Sequence, residues 1–359
     1  MAISHRDQED GVRSGAATLR TRAAQADARA DRRLAIAIDD FFLSDDGRLD
    51  DQLRDGLAQS LSGLVGTIEA AIRAHAGRLL AARGGPALAG APLALDRLVA
   101  VGLVRDSELM GELIGRVRQT QLSEALPVES PDRADQPSML ARLSQYPDHV
   151  VATNAVALLA AEGRRREPGA GTRTDLPAEL HHRLVWWVAA ALRDSAPDAT
   201  DTLDRALAEA ALRSVAAHDE SERLEASAMR LAAALDPRAE ELAPLLLESL
   251  ADRRLSLFIA LLGHALGLDF ADARDVVLDP DADRLWLVLR ALELDRIAIA
   301  RIGLALSDAD PRRDVERFAD ALDGIASVPA TEARSAIAPL LLHPDYRAAL
   351  LALARGARA

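Results

Sequence analysis

Residues 235–250 read LDPRAEELAPLLLESL and residues 278–292 read LDPDADRLWLVLRAL. Both place Leu-Asp-Pro ahead of an acidic turn and an apolar helix. Their offset of 43 residues falls within the ~40–47-residue period of HEAT-type helical repeats. Proline is expected in the first helical turn, where its missing N–H would lack a partner anyway. The aspartates are expected to accept the other free N–H groups and to favour the helix dipole. A helical pair cannot bury its own apolar face, so neighbours stack. Leu242 and Leu285 are then equivalent, buried and one repeat apart. Asp-Pro helix starts also occur by chance in other α-helical proteins. Pro147 and Pro197, each followed by Asp, precede expected helices at looser offsets, as do His343, Pro344 and Asp345 near the end.

Outward from these stretches, residues 138–359 are expected to form a HEAT-like helical repeat domain. Its upstream helices fall at 139–143, 150–161, 180–192 and 203–217. The segment 127–137, PVESPDRADQP, has three prolines and is the expected linker. Residues 34–126 are expected to form an N-terminal helical domain. Leu53, Leu57, Leu61, Leu64, Ile68 and Ile72 recur at helical spacing, which predicts one long amphipathic helix over 49–83. Gly56, Gly63, Gly66 and Gly77 within it are expected to weaken the helix and to permit close helix approach. Before this helix come a flexible arm at 1–33, a short apolar helix at 34–43 and a turn at 44–47. A loop at 84–92 and two helices over 93–126, turning near Asp106 and Ser107, complete the domain.

Composition agrees with an all-α fold. The chain has 359 residues, 49% hydrophobic and only 3% aromatic, with the apolar part mostly Ala, Leu and Val. Ala, Leu, Arg and Glu are strong helix formers. All 43 basic residues are arginine, and cysteine is absent. A Walker-type phosphate loop needs lysine; Schiff-base and thiol catalysis need an amine or a thiolate. A uniform lack of lysine reads as codon bias in a GC-rich bacterial genome. The net charge of −13 opposes a general nucleic-acid binder, which shows a basic face. No uninterrupted apolar run approaches the ~18–20 residues of a spanning helix, and the N-terminus does not read as a signal peptide. A cytoplasmic location is expected.

The segment 255–308, LSLFIALLGHALGLDFADARDVVLDPDADRLWLVLRALELDRIAIARIGLALSD, and the segment 175–193, DLPAELHHRLVWWVAAALR, resemble the DUF2336 family of alphaproteobacteria. The likeness extends in broad pattern over 35–350. It rests on packing residues, implies a helical, repeat-like protein and supplies no catalytic residues.

His181 and His182 precede Trp186 and Trp187. Adjacent histidines on a helix point ~100° apart, so they cannot chelate one metal as an i, i+4 pair does. They read as surface polar residues. Val185, Val188, Ala189 and Leu192 define the expected buried face, leaving one tryptophan packed and the other at a seam or exposed. Exposed tryptophan is a good interface anchor. His264 and Asp269 flank Gly267; a general-base pair is conceivable, but a helix C-terminus capped by Gly267 is the better account. Asp279, Asp281 and Asp283 alternate like calcium ligands, but Pro280 and the helix that follows break the EF-hand pattern, so they read as helix caps. Arg164, Arg165 and Arg166 open a Gly- and Pro-rich stretch and read as an exposed loop that could meet an acidic partner.

These readings point to a non-enzymatic, regulatory protein–protein interaction scaffold that needs no cofactor or metal and whose partner is another protein. The expected partner surface comprises Trp186, Trp187, His181, His182, Arg164, Arg165 and Arg166. A structural homo-oligomer, joined through the N-terminal helices, is the alternative. A nucleic-acid-acting enzyme on a HEAT-like scaffold fits the acidic balance less well.

Overall fold

The computed structural model describes residues 49–83, 94–127, 137–166, 174–196 and 200–343, and beyond them 345–347, 349, 350 and 353. The expected arm at 1–33, the helix at 34–43, the turn at 44–47, the loop at 84–92 and most of the linker at 127–137 lie outside the described residues. Among the described residues every regular element is helical and none is a strand. Gln52–Ala359 forms one compact unit.

The long helix α1 spans Asp51–Ala82, as the leucine and isoleucine spacing predicts. Leu53, Leu57, Ile68 and Ile72 are buried, together with Val65, Ala76 and Leu80. Gly56 serves the close approach expected of it, since a Cβ there would sit 2.6 Å from Val117 Cγ1, whereas Gly66 and Gly77 do not, a Cβ at either meeting nothing within 4 Å. Helix α2 (Ala94–Val101) and a 3-10 turn at Leu103–Arg105 lead to α3 (Ser107–Ala125). Asp106 marks the turn between them and caps α3, accepting from the Leu109 N–H at 2.9 Å.

Four helices follow: α4 (Met139–Leu143), α5 (His149–Arg166), α6 (Ala178–Asp194) and α7 (Asp201–Ala216). Two consecutive triplets come next. The first is α8 (Leu224–Leu235), α9 (Ala239–Ala251) and α10 (Leu255–Leu266); the second is α11 (Phe270–Leu278), α12 (Asp283–Ala291) and α13 (Arg296–Ala309). Helices α14 (Val315–Ser327) and α15 (Ala330–Ile337) close the unit. Several further N-termini carry an oxygen-bearing cap: Ser138 for α4, Thr200 for α7, Asp269 for α11, Asp295 for α13 and Asp314 for α14.

Helix α10 is the centre of the core. Leu255 and the run from Leu257 to Leu262 are almost fully buried, and α3, α8, α9 and α11 pack around it. A helix apolar on every side belongs in an interior, and each fully buried Leu or Phe contributes about 1.5–3 kcal/mol. Among the described residues no single helix is long and apolar enough to cross a membrane. Polar contacts tie α3 to the same region. Gln119 Nε2 donates to Ser256 Oγ at 3.2 Å, Ser123 Oγ donates to the Arg253 carbonyl at 2.7 Å, and Arg253 Nε donates to the Leu126 carbonyl at 2.7 Å. Residues on both sides of 127–137 therefore share one core.

The two Leu-Asp-Pro stretches occupy matching junctions, Leu235 ending α8 and Leu278 ending α11. Leu242 and Leu285 are both buried in the common core. The corners that follow also match. Arg253 and Glu293 are left-handed at φ 57° and 62°, and each precedes a backbone hydrogen bond spanning five residues. These bonds are Arg254 N–H to the Ser249 carbonyl at 2.7 Å and Leu294 N–H to the Leu289 carbonyl at 3.1 Å. The expected capping chemistry differs at these starts. Pro237 and Pro280 lie before the helices, not in their first turns, and the N-cap positions are Arg238 and Ala282. The aspartates instead hold the preceding turn, where Asp279 Oδ1 accepts from the Asp281 N–H at 3.3 Å.

Candidate functional site

Helix α6 presents its residues on distinct faces. Val185, Val188, Ala189 and Leu192 are buried, as the pattern predicts. Trp187 is half-buried, whereas Trp186 is exposed. His182 is exposed one turn before Trp186, and their rings meet edge-on at 6.4 Å. Helix α2 packs against α6. Arg97 pairs with Asp194 at 3.1 Å, and Arg183 donates to Asp106 at 2.7 Å and Glu108 at 2.8 Å. These pairs fix α2 antiparallel to α6. Val99 and Val101 of α2 and Leu103 just after it are exposed, as is Trp186 of α6.

His181 does not belong to that surface. Expected at the surface, it is buried, with only 4% exposed. Its ring stacks on His218 at 4.1 Å between centroids. Nδ1 lies 2.6 Å from Thr174 Oγ1 and Nε2 lies 3.4 Å from the Ser214 carbonyl. A carbonyl can only accept, so Nε2 carries the proton and Nδ1 accepts from the threonine hydroxyl. Burial, with the neighbouring His218, lowers its pKa to about 4 despite the Ser214 carbonyl, leaving the imidazole neutral at pH 7.

The three arginines are also placed differently from expectation. Arg164, Arg165 and Arg166 form the last turn of α5, not a loop. Arg164 is exposed and donates to the Glu222 carbonyl at 2.9 Å. For Arg166 the described part is its helical backbone. Arg165 enters an ionic cluster. Its Nε donates to Asp175 at 2.9 Å and its Nη2 donates to Glu225 at 2.7 Å. Arg116 bonds Glu112 at 2.7 Å and approaches Glu225 at 3.8 Å. Arg223 lies 3.5 Å from Glu225, and Arg274 donates to Glu112 at 2.8 Å. Gly115 makes room for that last side chain, since a Cβ there would sit 2.8 Å from the Arg274 guanidinium carbon. Burial works to raise the Glu225 carboxyl, but Arg165, Arg116 and Arg223 together hold it well below the usual carboxylate range. Glu112 is lowered in the same way, burial being outweighed by Arg116 and Arg274. The cluster joins α3, α5, α8 and α11. Only the i, i+4 spacing of Glu112 and Arg116 hinted at it, and that spacing equally suits a solvated helix face.

The remaining candidates have structural partners. Gly267 closes α10 at φ 72°, as expected. His264 Nε2 lies 2.8 Å from Asp236, not Asp269, which instead caps α11. Asp279 accepts from Arg284 at 3.2 Å, and Asp281 lies 3.6 Å from Arg317. Among the described residues no group of three or more His, Asp or Glu is arranged to hold a metal ion.

Together these features define an all-helical protein with a charged interior cluster and exposed apolar residues on α2 and α6. The family model described as "Uncharacterised protein conserved in bacteria (DUF2336)" matches residues 135–338. That match covers more than half of the chain, and the chain belongs to this family. It runs from α4 through α15 and contains both segments that carried the resemblance. No curated protein and no solved structure matches the chain.

Proposed function

We propose that this protein is a non-enzymatic adaptor that binds another protein in the cytoplasm, built on an irregular HEAT-like array of stacked helices. One observation carries the reading: the exposed apolar side chains carried by the paired helices α2 and α6. Trp186 is 36% exposed there, with Val99 at 51%, Val101 at 71% and Leu103 at 39%. Single exposed apolar residues are ordinary, whereas an apolar patch marks an interaction site. Tryptophan is enriched among the residues that dominate interface energy. The matching corners at Arg253 and Glu293 and the matching Leu242 and Leu285 support the repeat reading. The stable duties of His181, His264 and Asp269 within the fold favour a scaffold over a catalyst.

The test is affinity capture from the native bacterium with the wild type and with Trp186→Ala, each shown to be folded. A stoichiometric partner lost only in the variant supports the adaptor and locates its surface. A partner retained unchanged removes α2 and α6 from consideration. Self-association, seen by light scattering and abolished by the substitution, would replace the adaptor with the homo-oligomer.

A further inference from the structure

A second exposed apolar surface lies beyond α15. Residues 345–347, 349, 350 and 353 are helical, and the helix begins where the Arg347 N–H donates to the His343 carbonyl at 3.0 Å. Tyr346, Leu350 and Leu353 follow one another at i, i+4 and i+7, so they share one helix face. They are 57%, 41% and 71% exposed. Leu341 and Leu342, just ahead, are exposed as well. No other stretch of that length among the described residues exposes as many large apolar side chains. Such a concentration marks a surface that meets something other than water.

The near end of this segment is fixed to the body of the protein. Arg347 Nη1 donates to the Leu340 carbonyl at 3.0 Å, and Nη2 pairs with Asp272 on α11. Arg347 follows Tyr346 by one residue, ~100° around the helix, so the tether and the apolar face point in different directions. The tether holds the helix start in place and leaves Tyr346, Leu350 and Leu353 in solvent.

The charge pattern says what covers that face. Residues 346–359, YRAALLALARGARA, contain three arginines and no acidic residue, within a chain whose net charge is −13. At the ~100° spacing of a helix, positions 347, 355 and 358 fall on the other side from 346, 350 and 353. The sequence therefore sets a basic stripe against an apolar one. A basic amphipathic helix of this pattern suits the boundary between headgroups and acyl chains. Arginine stems lie along the apolar side while their heads reach anionic headgroups, and tyrosine is favoured at the same depth. A second copy of the segment offers no acidic stripe to meet the basic one. At ~1.5 Å per residue the segment is about 21 Å long as a helix, too short to cross a hydrocarbon core of ~30 Å, so it lies in the plane of the surface.

We propose that this segment docks on an anionic lipid surface. Tyr346, Leu350 and Leu353 insert at the edge of the acyl chains, and Arg355 and Arg358 meet the headgroups. A helix this short binds reversibly and needs both its apolar and its basic part. The surface is separate from the exposed residues of α2 and α6, and its test is independent of the adaptor reading.

Flotation of the full chain with lipid vesicles tests this. The vesicles are phosphatidylcholine alone, and phosphatidylcholine mixed in equal parts with phosphatidylglycerol. Binding to the mixed vesicles but not to the neutral ones is expected, and high salt should weaken it. The double variant Leu350→Glu, Leu353→Glu should abolish it. The double variant Arg355→Gln, Arg358→Gln should weaken it about tenfold or more, as the loss of two basic residues at an anionic surface predicts. Trp186→Ala should bind as the wild type does, and loss of binding in that variant would overturn the assignment to this segment. Thermal unfolding verifies that every variant folds. Absence of binding to the mixed vesicles, or equal binding by wild type and the leucine variant, overturns the proposal. Equal binding to neutral and mixed vesicles overturns the anionic assignment. Self-association in sedimentation, lost in the leucine variant and unaccompanied by vesicle binding, assigns the face to a second copy of the chain instead.

Discussion

Glu225 and Arg165, 60 residues apart in sequence, meet at 2.7 Å in the interior, and the same carboxylate faces Arg116 and Arg223. One buried anion thus serves three guanidiniums on three different segments. Removing one partner of a buried ion pair typically costs ~3–5 kcal/mol, because the remaining charge is left uncompensated. Glu225→Gln should lower stability by about that amount in urea unfolding. An unfolding midpoint equal to wild type would show that the cluster is hydrated and energetically unimportant.

The cluster and His181 set opposite ends of the acid response. The folded carboxyl groups of Glu225 and Glu112 lie below their ordinary value of 4.5. Their contribution is fully present above pH 4.5 and is lost as pH falls through the lower folded values. His181 is lowered from 6.5 to about 4, so between those values the unfolded chain binds the extra proton. Its contribution is present above pH 6.5 and declines on acidification toward pH 4. Chemical unfolding from pH 8 to pH 4.5 should therefore show a falling stability that His181→Gln makes shallower. An unchanged slope in the variant would assign the decline to other groups.

Leu242 and Leu285 occupy corresponding positions after the two Leu-Asp-Pro junctions and are 4% and 0% exposed. Leu→Ala at either should cost ~2–5 kcal/mol, the range for a buried leucine whose cavity only partly relaxes. Denaturant midpoints of the two variants measure this. A wild-type midpoint in one of them would break the equivalence.

Much of the fold was legible because apolar spacing reports directly on helices. The limits of α1, the turn at Asp106 and the buried face of α6 follow from it. Legibility failed where a residue's role depends on a distant partner. Glu112 and Arg274 are 162 residues apart, and each looks like part of a solvated helix face until the helices are brought together. His181 reads as exposed for the same reason, since Ser214 and His218 become its neighbours only when α7 packs on α6. The left-handed corners at Arg253, Ala282 and Glu293 carry no glycine to announce them. The capping error has a local cause: Asp-Pro marks the end of the preceding turn, one to three residues ahead of the helix start. At the candidate surface, two adjacent tryptophans told that the pair would divide between faces, but not which ring would face outward.

That division gives the last prediction. Trp187 is half-buried and Trp186 is exposed, although they share one helix and one chemistry. Trp187→Ala removes packed surface and leaves a gap, so it should destabilise the protein by a few kcal/mol, toward the ~3–5 kcal/mol seen for fully buried aromatics. Trp186→Ala removes a ring that mostly meets solvent, and surface changes usually stay within ~0.5 kcal/mol. Paired urea unfolding of the two variants tests the difference. A larger loss at Trp186 than at Trp187 would mean that Trp186 is buried in solution, against a second copy of the chain or within the fold. If Trp186→Ala is as stable as wild type, any loss of partner binding in that variant reports on the surface itself and not on the stability of α6.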